Sequence, residues 1–265
     1  MATYVFSDIH GHAEPLRRLL DRISPEDDDR FYCLGDMVDR GPAPLDVIEL
    51  VRMLPNVCVL SGNHEILMLD WIHRPNSFDS LLDWSINGGV VTKAAFERLD
   101  PSKRSELVSW LEALPAYAVC AVSGRIYVLV HAGITPYRGT ARDWDEDALR
   151  DMLSETDPQV LIWVREQFWE HPTGLVDETG AGPIVIAGHT PSRYLMRMDA
   201  VTDRPPLDGD GLCQSVRVGD PEACGGIWDK WDIDSGCAGG AGFGKVTIIR
   251  LDDGAEFTEP IASGE

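Results

Sequence analysis

Five short stretches of this chain place metal-binding side chains at fixed stops. They are Asp8-Ile9-His10-Gly11, Gly35-Asp36-Met37-Val38-Asp39-Arg40-Gly41, Gly62-Asn63-His64-Glu65, His131-Ala132-Gly133 and Gly188-His189-Thr190. Carboxylate, imidazole and amide oxygen together suit Mn²⁺, Fe or Zn²⁺ better than a thiolate-seeking metal. A carboxylate has two oxygens and can join two ions, and the flanking glycines let backbone and ligand approach closely. Each stretch alone has an ordinary explanation. Asp-x-His is commonly structural, Asn63 could cap a helix, and a lone His131 or His189 reads as a core histidine. Two Gly, two Asp and one Arg in 35–41 are harder to explain by packing.

The ordinary explanations lose ground because all five stretches follow strand-like runs. Thr3–Phe6, Phe31–Leu34, Val57–Leu60, Ile126–Val130 and Ile184–Ala187 are short, apolar and rich in β-branched or aromatic residues. Leu16, Leu19, Leu20 and Ile23, then Leu45, Ile48 and Val51, recur at helical spacing between the first three runs. This βαβαβ order predicts a mainly parallel sheet with helices packed on it. In such sheets ligands gather outside the carboxyl ends of the strands, so five loops at one sheet edge can converge on one site.

Residues 64–114 read as helices divided by Pro75, Gly88-Gly89 and Pro101, with Leu107, Trp110, Leu111 and Leu114 on one face. Ser123-Gly124 predicts a hairpin turn between Tyr117–Ala121 and Ile126–Val130. The acidic stretch 143–157 predicts a helix, and Val246–Ile249 a further strand. Residues 199–232, rich in Asp, Gly and Pro, read as an irregular excursion.

Composition sets outer bounds. The 265 residues carry a formal charge of −21. Such a surface repels nucleic acid and anionic membranes, so neither is an expected partner. It also repels phosphorylated compounds, and bound cations would supply the missing local charge. No apolar run reaches about 18 residues, and the first residues enter a strand without a basic leader; the expected location is cytoplasmic. None of the six cysteines forms a C-x-x-C pair. Cys33, Cys58 and Cys120 read as small buried hydrophobes, while Cys213 and Cys224 flank a loop that could bring them together.

With these motifs in place, the chain resembles the phosphoprotein phosphatase family within the calcineurin-like metallophosphoesterases, and most closely its bacterial and phage branch. Trp84 with Ile86-Asn87-Gly88-Gly89, Ile162–Glu166 and Ile233–Cys237 support the resemblance. It implies one catalytic domain over 1–265, a four-layer α/β/β/α sandwich of two mixed sheets flanked by helices. The helical insert would cover about 64–114 and the irregular loop about 199–232. It implies Asp8 and His10 on a first metal, Asp36 bridging, and Asn63, His131 and His189 on a second. His64 would be the general acid, paired with Asp39, and Arg40 and Arg165 would hold phosphate oxygens. The cofactors would be two divalent ions, Mn²⁺ first and Fe or Zn²⁺ as alternatives.

The expected reaction is hydrolysis of phosphoserine or phosphothreonine, and of phosphotyrosine at the margin, by a hydroxide bridging the metals. The expected partner is a phosphorylated protein or peptide. A second reading is a nucleotide hydrolase resembling the symmetrical diadenosine tetraphosphatases, and a third a non-catalytic phosphate-binding module. Asp39 and the Glu65 that follows His64 favour the first, because the tetraphosphatases tend to lack the second Asp of the 35–41 motif and to carry Asp after His. Ser7 departs from the family's usual Gly before the first Asp.

Overall fold

The structure is a computed structural model that describes residues 1–139 and 143–265. In chain order its elements are β1 (Thr3–Phe6), α1 (Ala13–Ile23), β2 (Arg30–Cys33), α2 (Pro44–Arg52), β3 (Val57–Val59), α3 (Asn63–His73), α4 (Phe78–Ile86), α5 (Val90–Phe96), α6 (Pro101–Glu112), β4 (Tyr117–Val122), β5 (Arg125–Val130), α7 (Glu146–Ser154), α8 (Pro158–Trp163), α9 (Glu166–Trp169), β6 (Ile184–Ala187), β7 (Val216–Val218), β8 (Lys230–Asp232), β9 (Lys245–Arg250) and β10 (Ala255–Pro260).

Two five-stranded sheets form, in the orders β10-β9-β1-β2-β3 and β4-β5-β6-β8-β7. In the first, β1, β2 and β3 are parallel, while β9 and β10 are antiparallel. The sequence pattern predicted a mainly parallel sheet. The difference arises because β9 returns from the far end of the chain and pairs Ile249 with Val5. In the second sheet β5, β6 and β8 are parallel and β4 and β7 antiparallel.

Successive strand residues face opposite sides of a sheet, and the core divides accordingly. Tyr4, Phe6, Val246 and Ile248 pack with Leu16, Leu19 and Ile48 of the helices outside the first sheet. Val128, Val130, Val185 and Ala187 pack with Leu149, Leu153 and Phe168 outside the second. The alternate residues Val5, Ile249, Leu129, Ile186 and Trp231 meet between the sheets. The result is the four-layer sandwich, and the inner layer of side chains fixes how the two sheets' strand ends align.

Local chemistry places several boundaries. Pro44, Pro101 and Pro158 open α2, α6 and α8, where a missing N–H costs nothing. Ser123 and Gly124, both at positive φ, turn the β4–β5 hairpin, with Val122 opposite Arg125. Residues 199–232 are less irregular than their composition suggests. They contain β7 and β8, and β8 lies between β6 and β7 in the second sheet. Three-residue strands flanked by Gly and Pro give too short an alternating run to recognise. Cys213 and Cys224 do not pair; all six cysteines are free thiols.

Candidate metal centre

Each metal-binding motif sits where the sequence placed it, at the carboxyl end of a strand. The five ends do not share one sheet edge, however. Asp8, Asp36 and Asn63 follow β1, β2 and β3 of the first sheet, whereas His131 and His189 follow β5 and β6 of the second. Face-to-face packing of the sheets closes the site from both sides.

Asp36 stands at its centre. Its Oδ2 lies 3.6 Å from His10 Nε2, and its Oδ1 lies 3.5 Å from His131 Nε2. Two overlapping clusters result: His10, Asp36 and His64, and Asp36, His131 and His189. Asp8 Oδ1 stands 3.9 Å from His10 Nε2 on the first side. Asn63 Oδ1 stands 3.0 Å from His131 Nε2 and 2.8 Å from His189 Nδ1 on the second. All six ligand candidates are buried.

The donor set fits two divalent cations. The Nδ1–H groups of His10 and His131 donate to the carbonyls of Val38 (3.0 Å) and Leu34 (2.9 Å), which leaves each Nε2 with its lone pair toward the cluster. Such backbone partners orient metal-ligating imidazoles. Burial, with His64 and Arg40 nearby, holds His10 well below the usual imidazole range, and burial pushes His131 down to about 4. His189 is lowered chiefly by burial as well. These rings are therefore neutral, as coordination requires. Burial and then Asp8 and Glu65 push the Asp36 carboxyl well above its usual range. Crowded, buried carboxylates beside neutral imidazoles are an arrangement that cations relieve.

Backbone strain concentrates at the same place. Asp8, His10, Asp36, Asp39, Arg40 and His189 all adopt φ between 48° and 71°. Non-glycine residues held there cost about 1–3 kcal/mol each and persist where the surrounding structure over-determines them. Glycine is required where chains approach the ligands. A Cβ on Gly62 would lie 2.2 Å from Asp36 Oδ1, and one on Gly188 2.1 Å from Asp8 Oδ2.

His64 reaches the first cluster from the start of α3. Its Nδ1–H donates to Asp39 Oδ2 at 2.7 Å, and its Nε2 lies 3.9 Å from Asp36 Oδ2. The Asp39 carboxylate takes two further bonds, from Trp84 Nε1 (2.9 Å) and Thr92 Oγ1 (2.6 Å). The Asp39 N–H in turn donates to Thr92 Oγ1 at 2.9 Å. Trp84 of α4 and Thr92 of α5 thus hold the His64–Asp39 pair in place. Arg40 and Arg165 line the cavity beside the cluster. Arg165 donates to the His189 carbonyl at 2.9 Å and to Thr190 Oγ1 at 3.2 Å.

Glu65, Asp234 and Arg197 were given no place in the site by the sequence reading. Glu65 accepts backbone N–H bonds from Asp36, Met37 and Gly62, at 2.8 to 2.9 Å, and so ties the loop after β2 to the loop after β3. Asp234 lines the cavity, accepts the Gly236 N–H with Oδ1, and has no partner for its buried Oδ2. Arg197 adds a third guanidinium to the cavity wall. The motif containing Asp234 was visible; nothing in the local pattern marked Thr92 or Arg197.

Two mixed sheets flanked by helices, with two overlapping clusters of candidate metal ligands at their strand ends, are the arrangement of a metal-dependent phosphoesterase. The chain belongs to the calcineurin-like phosphoesterase family, whose pattern matches residues 1–215. Within it, the chain is similar to a bis(5'-nucleosyl)-tetraphosphatase (symmetrical) of Vibrio parahaemolyticus, 27% identical, covering 98% of both chains. It is likewise similar to the enzyme of the same name from Aliivibrio salmonicida, 28% identical over 99% of this chain and 100% of that one. A protein serine/threonine phosphatase of Saccharomyces cerevisiae shares the fold, with a TM-score of 0.53 and 14% identity, covering 100% of this chain and 81% of that one.

These relatives correct the expected partner. They are named for dinucleoside tetraphosphates, small nucleotides, and not for a phosphorylated protein or peptide. The structure explains why Asp39 and Glu65 misled. Both are fully buried, Asp39 behind His64 and Glu65 behind the loops. Neither lines the cavity; both act on the centre from behind, through His64 and through the loops. As to location, no helix among the described residues is long and apolar enough to cross a membrane.

Proposed function

We propose that the protein hydrolyses the phosphoanhydride chain of a bis(5'-nucleosyl) tetraphosphate. The observation that carries this reading is one cavity of about 450 Å³ lined by His10, Asp36, Asn63 and His189 of the ligand candidates and by three guanidinium-bearing residues, Arg40, Arg165 and Arg197. A lone phosphoryl group is served by the cations and one or two arginines. A chain of several phosphates needs cationic partners beyond the reacting phosphorus, and this cavity gathers three of them in a protein of charge −21. End-to-end similarity to symmetrical tetraphosphatases supports the same assignment.

In this proposal Asp8, His10 and Asp36 hold one cation, and Asp36, Asn63, His131 and His189 hold the other. Mn²⁺ is the first choice, with Fe or Zn²⁺ as alternatives. The cations supply charge neutralisation at the phosphoryl oxygens and lower the pKa of water. His64 presents Nε2 to the leaving oxygen as general acid, and Asp39 fixes its ring. Arg40 and Arg165 orient the phosphate through paired N–H donors. We treat 1–265 as one catalytic unit, because β9 and β10 complete the sheet that β1 begins.

The test is a side-by-side assay of Mn²⁺-loaded protein on diadenosine tetraphosphate and a phosphopeptide panel. The proposal expects higher kcat/KM on the dinucleotide, ADP as its only nucleotide product, and loss of activity on chelation. Preference for the phosphopeptides would overturn it.

A further inference from the structure

The cavity does not end at the arginines. Its far wall carries two aromatic rings, Tyr194 and Phe243. Tyr194 lies on the short 3-10 helix Ser192–Arg197 that follows Gly188–Pro191, and Phe243 lies on the loop that follows Ile233–Gly236. Their ring centroids are 6.3 Å apart with planes at 57°. Tyr194 keeps 39% of its surface exposed, although it borders the cavity and the Arg197 side chain. The Arg193 guanidinium sits over the Phe243 ring, with Cζ 4.4 Å from the centroid. Arg197 approaches the Tyr194 ring, with Cζ 6.0 Å from its centroid.

The segment 199–232 braces this wall. Arg193 Nη2 donates to the Gly211 carbonyl at 2.6 Å, which holds the guanidinium against Phe243. The Cys213 N–H donates to the Phe243 carbonyl at 3.0 Å. Gly239 lets the ring lie close, since a Cβ there would fall 2.2 Å from Phe243 Cγ. Aromatic surface held in place at the end of a cation-lined cavity matches a ligand with a flat π-system at one end and phosphates at the other.

We infer that Tyr194 is the stacking face of a nucleobase subsite and Phe243, already packed by Arg193 and Gly239, the apolar wall that bounds it, so that one base of the substrate stacks there while its phosphates run toward Arg197, Arg165 and the metal ligands. The inference rests on the nucleotide reading above. Stacking on a π-face is tolerant of base identity, so adenine and guanine dinucleotides should be accepted alike.

The test compares kcat/KM for diadenosine tetraphosphate with kcat/KM for inorganic tripolyphosphate, which carries no ring, in the Mn²⁺-loaded protein. Loss of a stacked base by alanine substitution lowers the ratio about 5- to 150-fold, and this is expected for Tyr194→Ala. Tyr194→Phe should restore most of it. Phe243→Leu, which keeps the wall apolar, should lower the ratio in the same direction. Calorimetry supplies an independent reading: the wild type should bind ADP more tightly than inorganic pyrophosphate, and Tyr194→Ala should lose that preference. An unchanged ratio in Tyr194→Ala, or equal wild-type binding of ADP and pyrophosphate, would overturn the subsite. If the wild type prefers ADP over pyrophosphate yet leaves the dinucleotide intact, the subsite stands and the substrate assignment fails.

Discussion

Thr92→Val isolates the support behind His64. Valine keeps the branched shape of a side chain that is fully buried, so packing changes little. The substitution removes the bond that Thr92 Oγ1 donates to Asp39 Oδ1 at 2.6 Å. It also strips the Asp39 N–H of its acceptor at 2.9 Å. A hydrogen bond to a charged group contributes about 1.5–3 kcal/mol, and an orphaned buried donor costs about 1–3 kcal/mol. The two losses share one residue and are not additive, so about 3 kcal/mol is the expected destabilisation. At about 2–4 °C per kcal/mol for a chain of this size, the melting temperature should fall by about 6–12 °C. Asp39, held then by Trp84 and His64 alone, orients the imidazole less firmly. A misplacement worth about 1.4 kcal/mol lowers kcat about 10-fold. The loss should be larger on an alkyl phosphate, whose leaving oxygen needs a proton, than on p-nitrophenyl phosphate. Circular-dichroism melts and steady-state kinetics on both esters supply the readout. A melting temperature within about 2 °C of wild type, well inside the expected shift, would refute the network as a support. Equal loss of kcat on the two esters would refute its connection to leaving-group protonation.

Gly188→Ala should weaken Mn²⁺ binding about 10- to 100-fold, as disturbed ligand support typically does, because its Cβ would fall 2.1 Å from Asp8 Oδ2. Calorimetric titration measures this, and an unchanged Kd would count against Asp8 as a ligand. Lys230 gives a pH signature. Its buried Nζ donates to the carbonyls of Phe168, Trp169 and His171, and burial lowers its pKa from 10.5 to about 8. Between those two values the unfolded chain binds the extra proton, so stability rises with pH across that window. Comparing urea unfolding of wild type and Lys230→Met at pH 8 and pH 10.5 should show a rise of about 3 kcal/mol that only the wild type has. Parallel pH profiles would sink the argument.

The folded centre clarifies what the motifs could carry. Asp8, Asp36, Asn63, His131 and His189 were legible because strand ends and adjacent glycines leave a strong local imprint. Strand exits in an α/β arrangement are where ligands collect, and the structure places all five there. The layers followed from the family resemblance, not from the strand pattern, which predicted one mainly parallel sheet; in the fold Val5 and Tyr4 face the inner and outer sides of theirs. By contrast β8, three residues inside a Gly- and Pro-rich stretch, has no pattern long enough to read.

The sequence by itself determined the donor set of the centre, which side chains could bind cations, and carried the motifs by which the chain resembles the phosphoesterase family. Those properties reside in residue types and short spacings, which survive without coordinates. Only the tertiary structure decided that two sheets, not one, bring the ligands together. Only it showed that Trp84 and Thr92 hold Asp39 from 45 and 53 positions away. It also showed that Arg197, Tyr194 and Phe243 line the same cavity as the ligand candidates. Such contacts depend on how distant segments pack, and packing is a property of the whole chain that no local pattern records. For this reason Asp39 and Glu65 looked like markers of substrate in the sequence and prove, in the fold, to be supports buried behind the centre.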